Sequence, residues 1–311
     1  MSSSKTPVKV TIGTRGSRLA LAQSEIVLAG LKRFFPGVSF ELKTIRTVGD
    51  KRPTETPLAK EAVGFFTKEL EEALFSGAID MAVHSLKDLP ITLPTGLEIA
   101  AVTKRENPQD VLITEKRTSL KELSQGSRIG TGSPRRKAQL LYVRPDLRVV
   151  PIRGNVETRM QKVASQGLDG VVLASCGLSR CGLEGAGLWP IPFALMLPAP
   201  GQGALAVEIR SGDERVKGLA ARVDDVDSRF ATTAERAFHA SLGGGCQLPL
   251  GALATVEGQT LRLEGVLLDP DGKRRIRLST EGPKEKAREI GELLGKQLMK
   301  QGAEELLYAS R

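Results

Sequence analysis
The sequence predicts an α/β protein, with two doubly wound α/β domains followed by a small α+β C-terminal domain. Three observations carry that expectation. Short apolar strands alternate with helical patterns from residue 8 to about 83, the rhythm restarts after Asn107-Pro108, and hairpin signals take over after Thr232. At 311 residues and 40% hydrophobic, the chain is long enough for two or three domains with cores of their own.

Val8 to Ile12 reads as the first strand. The turn Gly13-Thr-Arg-Gly-Ser17 then opens a helix with Leu19, Ala22, Ile26 and Ala29 as its apolar face, stopped by Pro36-Gly37. Phe40 to Thr47 is the next strand, residues 67–76 a helix, and Ile79 to Val83 a third strand ending in His84-Ser-Leu-Lys-Asp-Leu-Pro90. This β-α-β-α-β order implies a largely parallel sheet. In the second half, strands are expected at 111–114, 128–131, 148–152 and 170–174, with helices opening at Gly132-Ser-Pro-Arg-Arg136 and Asn155-Val-Glu-Thr-Arg159. Residues 190–200 are proline-rich and read as a crossover to a strand at Ala204–Ile209, whose sheet the pattern leaves open. Thr232-Thr-Ala-Glu235 has the form of a capping box opening a short helix. Turns at Glu257-Gly258 and Asp269-Pro-Asp-Gly272 mark hairpins, and a helix over 283–300 carries Ile290, Leu293, Leu294 and Leu298 on one face.

Composition narrows the function. With 45 basic against 36 acidic residues, the net charge of +9 favours an anionic partner. Aromatic residues make up only 4%, and none is interleaved with basic ones as a base-stacking surface requires, so acidic small molecules rank above nucleic acid. Three cysteines without a C-x-x-C pair argue against a disulfide framework, and two histidines against a zinc site. Cys176 and Cys181 read as buried fillers, and neither His84 nor His239 is expected to be catalytic. The opening residues, MSSSKTPVKV, show no apolar h-region, and no segment has the length of a membrane span; a cytoplasmic protein is expected.

Three places share one design, an apolar strand running into a tight Gly/Ser/Thr turn with arginines at a helix start. They are Gly13 to Arg18, Gly130 to Arg136 and Arg153 to Arg159. Unpaired N–H groups at a helix start bind anions, and guanidiniums add planar, permanently charged donors suited to carboxylates or phosphates. Turns at the carboxyl ends of strands collect along one sheet edge, which predicts a cationic cleft. Neither nucleotide fingerprint fits: Gly130-Thr-Gly132 lacks a third glycine, and no G-x-x-x-x-G-K-[ST] occurs. Lys87 and Asp88 follow the third strand, where one carboxylate among arginines would suit a reaction that develops positive charge. Cys246, directly after Gly243-Gly-Gly245, reads as an accessible thiol on a flexible segment, either incidental or there to carry a group.

The segments IGTRGSRLALAQ, TPLAK, FTKELEEAL, AVHSLKDLP, GTGSPRRKAQL, RGNVETRM, LPAPGQGALAVE and TAERAF…GGGCQLPLGA resemble, in order, the porphobilinogen deaminase (hydroxymethylbilane synthase) family from about residue 10 to 255. The resemblance implies two α/β domains flanking a cleft, as in type II periplasmic binding proteins, plus a small α+β domain. It returns the strand at 204 to the first domain, giving domains at 1–103 with 204–222, at 104–203 and at 223–311. It implies a transferase that deaminates and polymerises four porphobilinogen molecules, each bearing an acetate and a propionate, into hydroxymethylbilane. It also implies a dipyrromethane cofactor, built from substrate and held on Cys246 through a thioether.

On the same resemblance Asp88 is the catalytic aspartate, and Lys87, Thr131, Ser133, Arg135, Arg136 and Arg159 are cofactor ligands. Arg15, Ser17, Gln23, Lys60, Arg153, Arg180, Gln202 and Gly203 serve substrate and the growing chain. No metal is expected, and the expected partner is the small-molecule substrate alone: no nucleic acid, no membrane, a monomer. One departure stands out. After Lys60 the family carries a Gly-rich loop with a second lysine, where this chain has the shorter Glu61-Ala-Val-Gly64, so gating of the cleft is expected to differ. The competing reading from the residues alone is a non-catalytic anion receptor, against which Asp88 and Cys246 argue.

Overall fold
The computed structural model describes residues 9–47, 67–115, 117–183, 185, 187–244 and 248–309. Lys60, the Glu61–Gly64 departure and Cys246 lie outside the described residues. In chain order the strands and helices begin with β1 (Lys9–Thr14), α1 (Arg18–Phe34), β2 (Ser39–Thr44), α2 (Lys68–Phe75), β3 (Met81–Ser85) and β4 (Leu97–Val102). There follow β5 (Asp110–Ile113), β6 (Arg128–Gly130), α3 (Pro134–Val143), β7 (Arg148–Val150), α4 (Val156–Ser165), β8 (Gly170–Ala174), α5 (Ser175–Arg180) and β9 (Leu188–Pro190). The remainder is β10 (Leu205–Arg210), α6 (Glu214–Ala220), α7 (Val226–Ser241), β11 (Leu250–Glu257), β12 (Thr260–Leu268), β13 (Arg275–Pro283), α8 (Ala287–Lys300) and α9 (Ala303–Ala309).

The chain forms two compact units. One holds the described residues up to Arg105 together with Ala204–Arg229; the other holds Glu106–Gly203 and the described residues from Phe230 on. The first unit is built on a five-stranded sheet in the order β2-β1-β3-β10-β4. β1 pairs in parallel with β2 and β3, while β10 runs antiparallel to both β3 and β4. β10 thus returns to the first sheet, and the sheet is mixed where the strand-helix rhythm suggested a largely parallel one. The strand at Leu97–Val102 had no place in that rhythm because it follows β3 without an intervening helix, and β10 lies between the two, antiparallel to both. Its core joins Val10, Ile12 and Met81 from the sheet to Val27 and Leu31 of α1. The buried face of α1 is therefore Ala20, Gln23, Ser24, Val27 and Leu31, displaced from the expected one; Ile26 lies outside it, exposed. The reason is that two polar residues, Gln23 and Ser24, occupy core-facing positions that a purely apolar reading skips.

The second unit repeats the arrangement in the order β7-β6-β8-β5-β9, again parallel on one side and antiparallel around β5. Within the same unit, β11, β12 and β13 form an antiparallel sheet, joined at the expected turns Gly258 and Asp269–Gly272. Helices α8 and α9 pack on it through Leu294, Leu298 and Leu306. Leu293 points outward, exposed, while Gly291 and Gly295 let α8 press against α7. The hairpin tip meets α3: Gly272 sits at φ +68°, and a Cβ there would fall 2.4 Å from the carbonyl oxygen of Ala138. Only glycine satisfies both the left-handed turn and that approach. Arg277 adds hydrogen bonds to the carbonyls of Phe193 and Ala194.

The capping box at Thr232–Glu235 is overturned. Helix α7 begins six residues earlier, where Asp225 Oδ1 accepts the Ser228 N–H at 2.9 Å, so an earlier cap wins and Thr232 lies buried in mid-helix. Glu235 instead accepts the backbone N–H groups of Gly201 and Ala254, both at 2.7 Å.

Candidate active site
In the first unit the site grows from the ends of two neighbouring parallel strands. β1 runs into Arg15-Gly16-Ser17, and the Ser17 hydroxyl caps α1 by accepting the Ala20 N–H. One turn on, the buried Gln23 donates from Nε2 to the Ser85 hydroxyl at 2.8 Å, tying α1 to the end of β3. Past Ser85 the chain tightens into a 3-10 turn, Leu86–Asp88, anchored by buried Leu86 and Leu89. That turn leaves Lys87 and Asp88 exposed. A cavity of about 50 Å³ is bordered by Arg15, Ser17, Gln23, Thr67, His84, Ser85 and Asp88. The structure therefore gathers Arg15, Ser17, Gln23 and Asp88 around one space, with Asp88 the one carboxylate among the described residues that line it.

In the second unit, β6 and β7 are parallel neighbours and present their turns along the same sheet edge. Ser133 caps α3 by accepting the Arg136 N–H, and its own N–H donates to the hydroxyl of buried Thr131. Gly132 allows this fold-back, since a Cβ there would lie 2.7 Å from the Ile152 carbonyl oxygen. Asn155 caps α4 by accepting from Thr158, and Arg159 Nε donates to the Gly154 carbonyl. Arg153 is half-buried at the same turn, its carbonyl taking a hydrogen bond from Lys162.

Arg135 and Arg136 are not solvated arginines at a helix start; both are buried on Asp110. Arg135 Nη1 reaches Asp110 Oδ2 at 2.6 Å, and Arg136 meets Oδ1 through Nε at 3.0 Å and Nη2 at 2.7 Å. Gln202 Nε2 donates to the same oxygen at 3.0 Å and to the Pro108 carbonyl. Burial by itself would raise the Asp110 carboxyl; Arg135 and then Arg136 outweigh it and hold it far below the usual carboxylate range. The triad keeps one net positive charge. Arg135 Nε, buried, has no hydrogen-bond partner among the described residues, a donor left over for an acceptor from elsewhere. Arg180, on α5, pairs with Glu106 at 2.9 Å and donates to the Gly203 carbonyl at 2.6 Å.

Sequence reasoning missed Asp110 and Glu208, while His84 packs on its strand as the sequence suggests. A lone acid opening the apolar run Asp-Val-Leu-Ile was the available signal for Asp110, and Glu208 inside Leu-Ala-Val-Glu-Ile for the other. Both sit where an unpaired charge would be costly, so each demands a cationic or hydrogen-bonding neighbour.

The family model described as porphobilinogen deaminase, dipyromethane cofactor binding domain, matches residues 10–218, and that of the porphobilinogen deaminase C-terminal domain matches residues 230–300. The chain belongs to the porphobilinogen deaminase family. The porphobilinogen deaminase of Pelotomaculum thermopropionicum is 49% identical over 97% of this chain and 97% of its own length. That of Thermus thermophilus is 47% identical over 97% of this chain and 99% of its own. Among solved structures, the L-cystine solute receptor of Neisseria gonorrhoeae aligns at a TM-score of 0.42 and 11% identity, covering 70% of this chain and 86% of its own, a likeness too low to carry an argument. As a porphobilinogen deaminase, the chain is an enzyme of tetrapyrrole biosynthesis with a dipyrromethane cofactor, and the receptor reading falls. The residues fit such a group: Thr131 and Ser133 at an N-capped turn, and the unpaired Nε of Arg135 beside it, are donors suited to its carboxylates. Among the described residues, no helix is long and apolar enough to cross a membrane.

Proposed function
We propose that this chain joins four porphobilinogen molecules head to tail, releasing ammonia at each joining, and frees hydroxymethylbilane by hydrolysis. When bound, dipyrromethane supplies a nucleophilic pyrrole carbon and acts as primer, held by a thioether on Cys246. Lys87, Thr131, Ser133, Arg135, Arg136 and Arg159 hold its acetate and propionate groups, with Arg135 Nε the donor whose buried, unpartnered state most favours that role. Arg136 contributes chiefly by sharing Asp110, which lets two guanidiniums sit side by side in a dry environment.

Arg15, Ser17 and Gln23 bind porphobilinogen beside Asp88, while Lys60, Arg153, Arg180, Gln202 and Gly203 serve the lengthening product. Asp88 accepts hydrogen bonds from pyrrole N–H groups and stabilises the positive charge that develops on the ring as ammonia leaves. The observation that supports the reading best is the small cavity that gathers Arg15, Ser17 and Gln23 around a single carboxylate, Asp88. The protein is a cytoplasmic monomer that binds neither nucleic acid nor membrane, its residues grouped as 1–103 with 204–222, 104–203 and 223–311. Asp88→Asn tests the assignment: shape and hydrogen bonding stay while the charge goes, so turnover falls at least about 100-fold with the cofactor still attached. Turnover within a few-fold of wild type would remove Asp88 from this role.

A further inference from the structure
A second titratable side chain borders the cavity of Asp88. His84 is only 6% exposed, yet it lines that space. Its Nε2 lies 2.9 Å from Oε2 of Glu208, which is 0% exposed on the neighbouring strand β10. The register explains the meeting: His84 of β3 stands opposite Ala206, and Glu208 is two residues along the same face. Among the described residues Glu208 has no other partner, and its Oε1 is buried and unbonded. A buried carboxylate with a single neighbour needs that neighbour to donate. The Nε2 proton therefore faces Glu208, and in the neutral ring the lone pair falls to Nδ1.

Nδ1 makes no hydrogen bond among the described residues. It is therefore open for a partner, on a residue that borders the cavity. The charged groups around the ring come from four elements: Glu208 on β10, Glu71 on α2, Asp88 on the 3-10 turn and Arg15 after β1. Burial, with the nearby Glu208 adding to it, pushes the Glu71 carboxyl up, which leaves Glu208 as the carboxylate that fixes the ring.

We propose that His84 is a substrate-contacting residue of this active site, its ring locked by the positioning residue Glu208 so that Nδ1 accepts a hydrogen bond from an N–H of porphobilinogen beside Asp88. This rests on the function proposed above. A carboxylate and an imidazole acceptor then flank the same substrate, and one carboxylate is not left to orient it alone.

Two substitutions separate contact from packing. His84→Gln keeps a donor where Nε2 stood, so Glu208 stays satisfied while the Nδ1 acceptor is lost; kcat/KM falls about 10- to 100-fold in a protein that melts within a few degrees of wild type. Glu208→Gln meets Nε2 with an amide that can accept or donate, so the tautomer is no longer fixed and part of the molecules carry the proton on Nδ1, with a smaller fall. The direct readout is the ring 15N spectrum, simple because the chain has two histidines and His84→Gln assigns one. In Asp88→Asn protein, His84 Nδ1 is unprotonated and shifts when porphobilinogen is added; in Glu208→Gln it is protonated in part. A folded His84→Gln enzyme within threefold of wild type, or an Nδ1 resonance indifferent to porphobilinogen, overturns the proposal. Should His84→Gln fail to fold, the Glu208→Gln kinetics and the spectrum decide. If Asp88→Asn is inactive while His84→Gln is not, only this inference fails; if the purified protein carries no dipyrromethane, the underlying reading fails first.

Discussion

Two buried carboxylates show how single residues govern each unit. Asp110 sits between two guanidiniums, and all three groups have left water. Replacing it by Asn leaves two buried cations with no counter-charge, a change that destabilises by about 3–5 kcal/mol. Chemical denaturation of Asp110→Asn is expected to show that loss at neutral pH. The pH dependence has a definite sign. The folded-state pKa of Asp110 is depressed, so its stabilisation is complete above the ordinary carboxylate value of about 3.9 and is lost as pH falls toward the folded value. The gap between wild type and variant therefore narrows only in strong acid. A gap unchanged down to about pH 2 would deny the ion pairs this weight. At this scale the sequence was legible for residues at turns, such as Ser17, Ser133 and Asn155, whose capping chemistry is local. It was not legible for Asp110, Glu208 or the partner of His84, because their meaning depends on which strand lies alongside, and the strand β10 that carries Glu208 arrives more than a hundred residues after β3.

Elements were read well where the signal is short in range. Every strand-turn-helix junction expected to bind anions is present, with a side-chain cap at each helix start. The hairpin turns at Gly258 and Gly272 also stand where their dipeptides pointed. Errors came where tertiary packing outranks local pattern. The start of α7 was set by Asp225 and not by Thr232, and two polar side chains turned the buried face of α1. A test belongs to the α3 junction. Ser133→Ala removes one cap and is expected to lower stability by about 1 kcal/mol. Gly132→Ala forces a Cβ into the Ile152 carbonyl, so its melting temperature falls further than that of Ser133→Ala. Equal melting temperatures for the two variants would contradict the close approach of these turns.

Over the whole chain, two sheets of matching order recur, each parallel at β1 or β6 and antiparallel at its inserted strand. That repetition was visible only as a rhythm, since pairing direction is settled by where a returning strand lands. The third sheet shares a unit with the second because Gly272, Arg277 and the apolar set Ala138, Leu197, Val266 and Leu268 fasten it there, contacts no local pattern announces. The proposed function joins an acidic substrate to these donor-rich turns. The most direct test of the account is the intact mass of purified protein, produced where porphobilinogen is available. The account predicts an excess equal to two condensed porphobilinogen units in the wild type, and none in Cys246→Ala. An unmodified wild-type mass, or an adduct that survives Cys246→Ala, would contradict it.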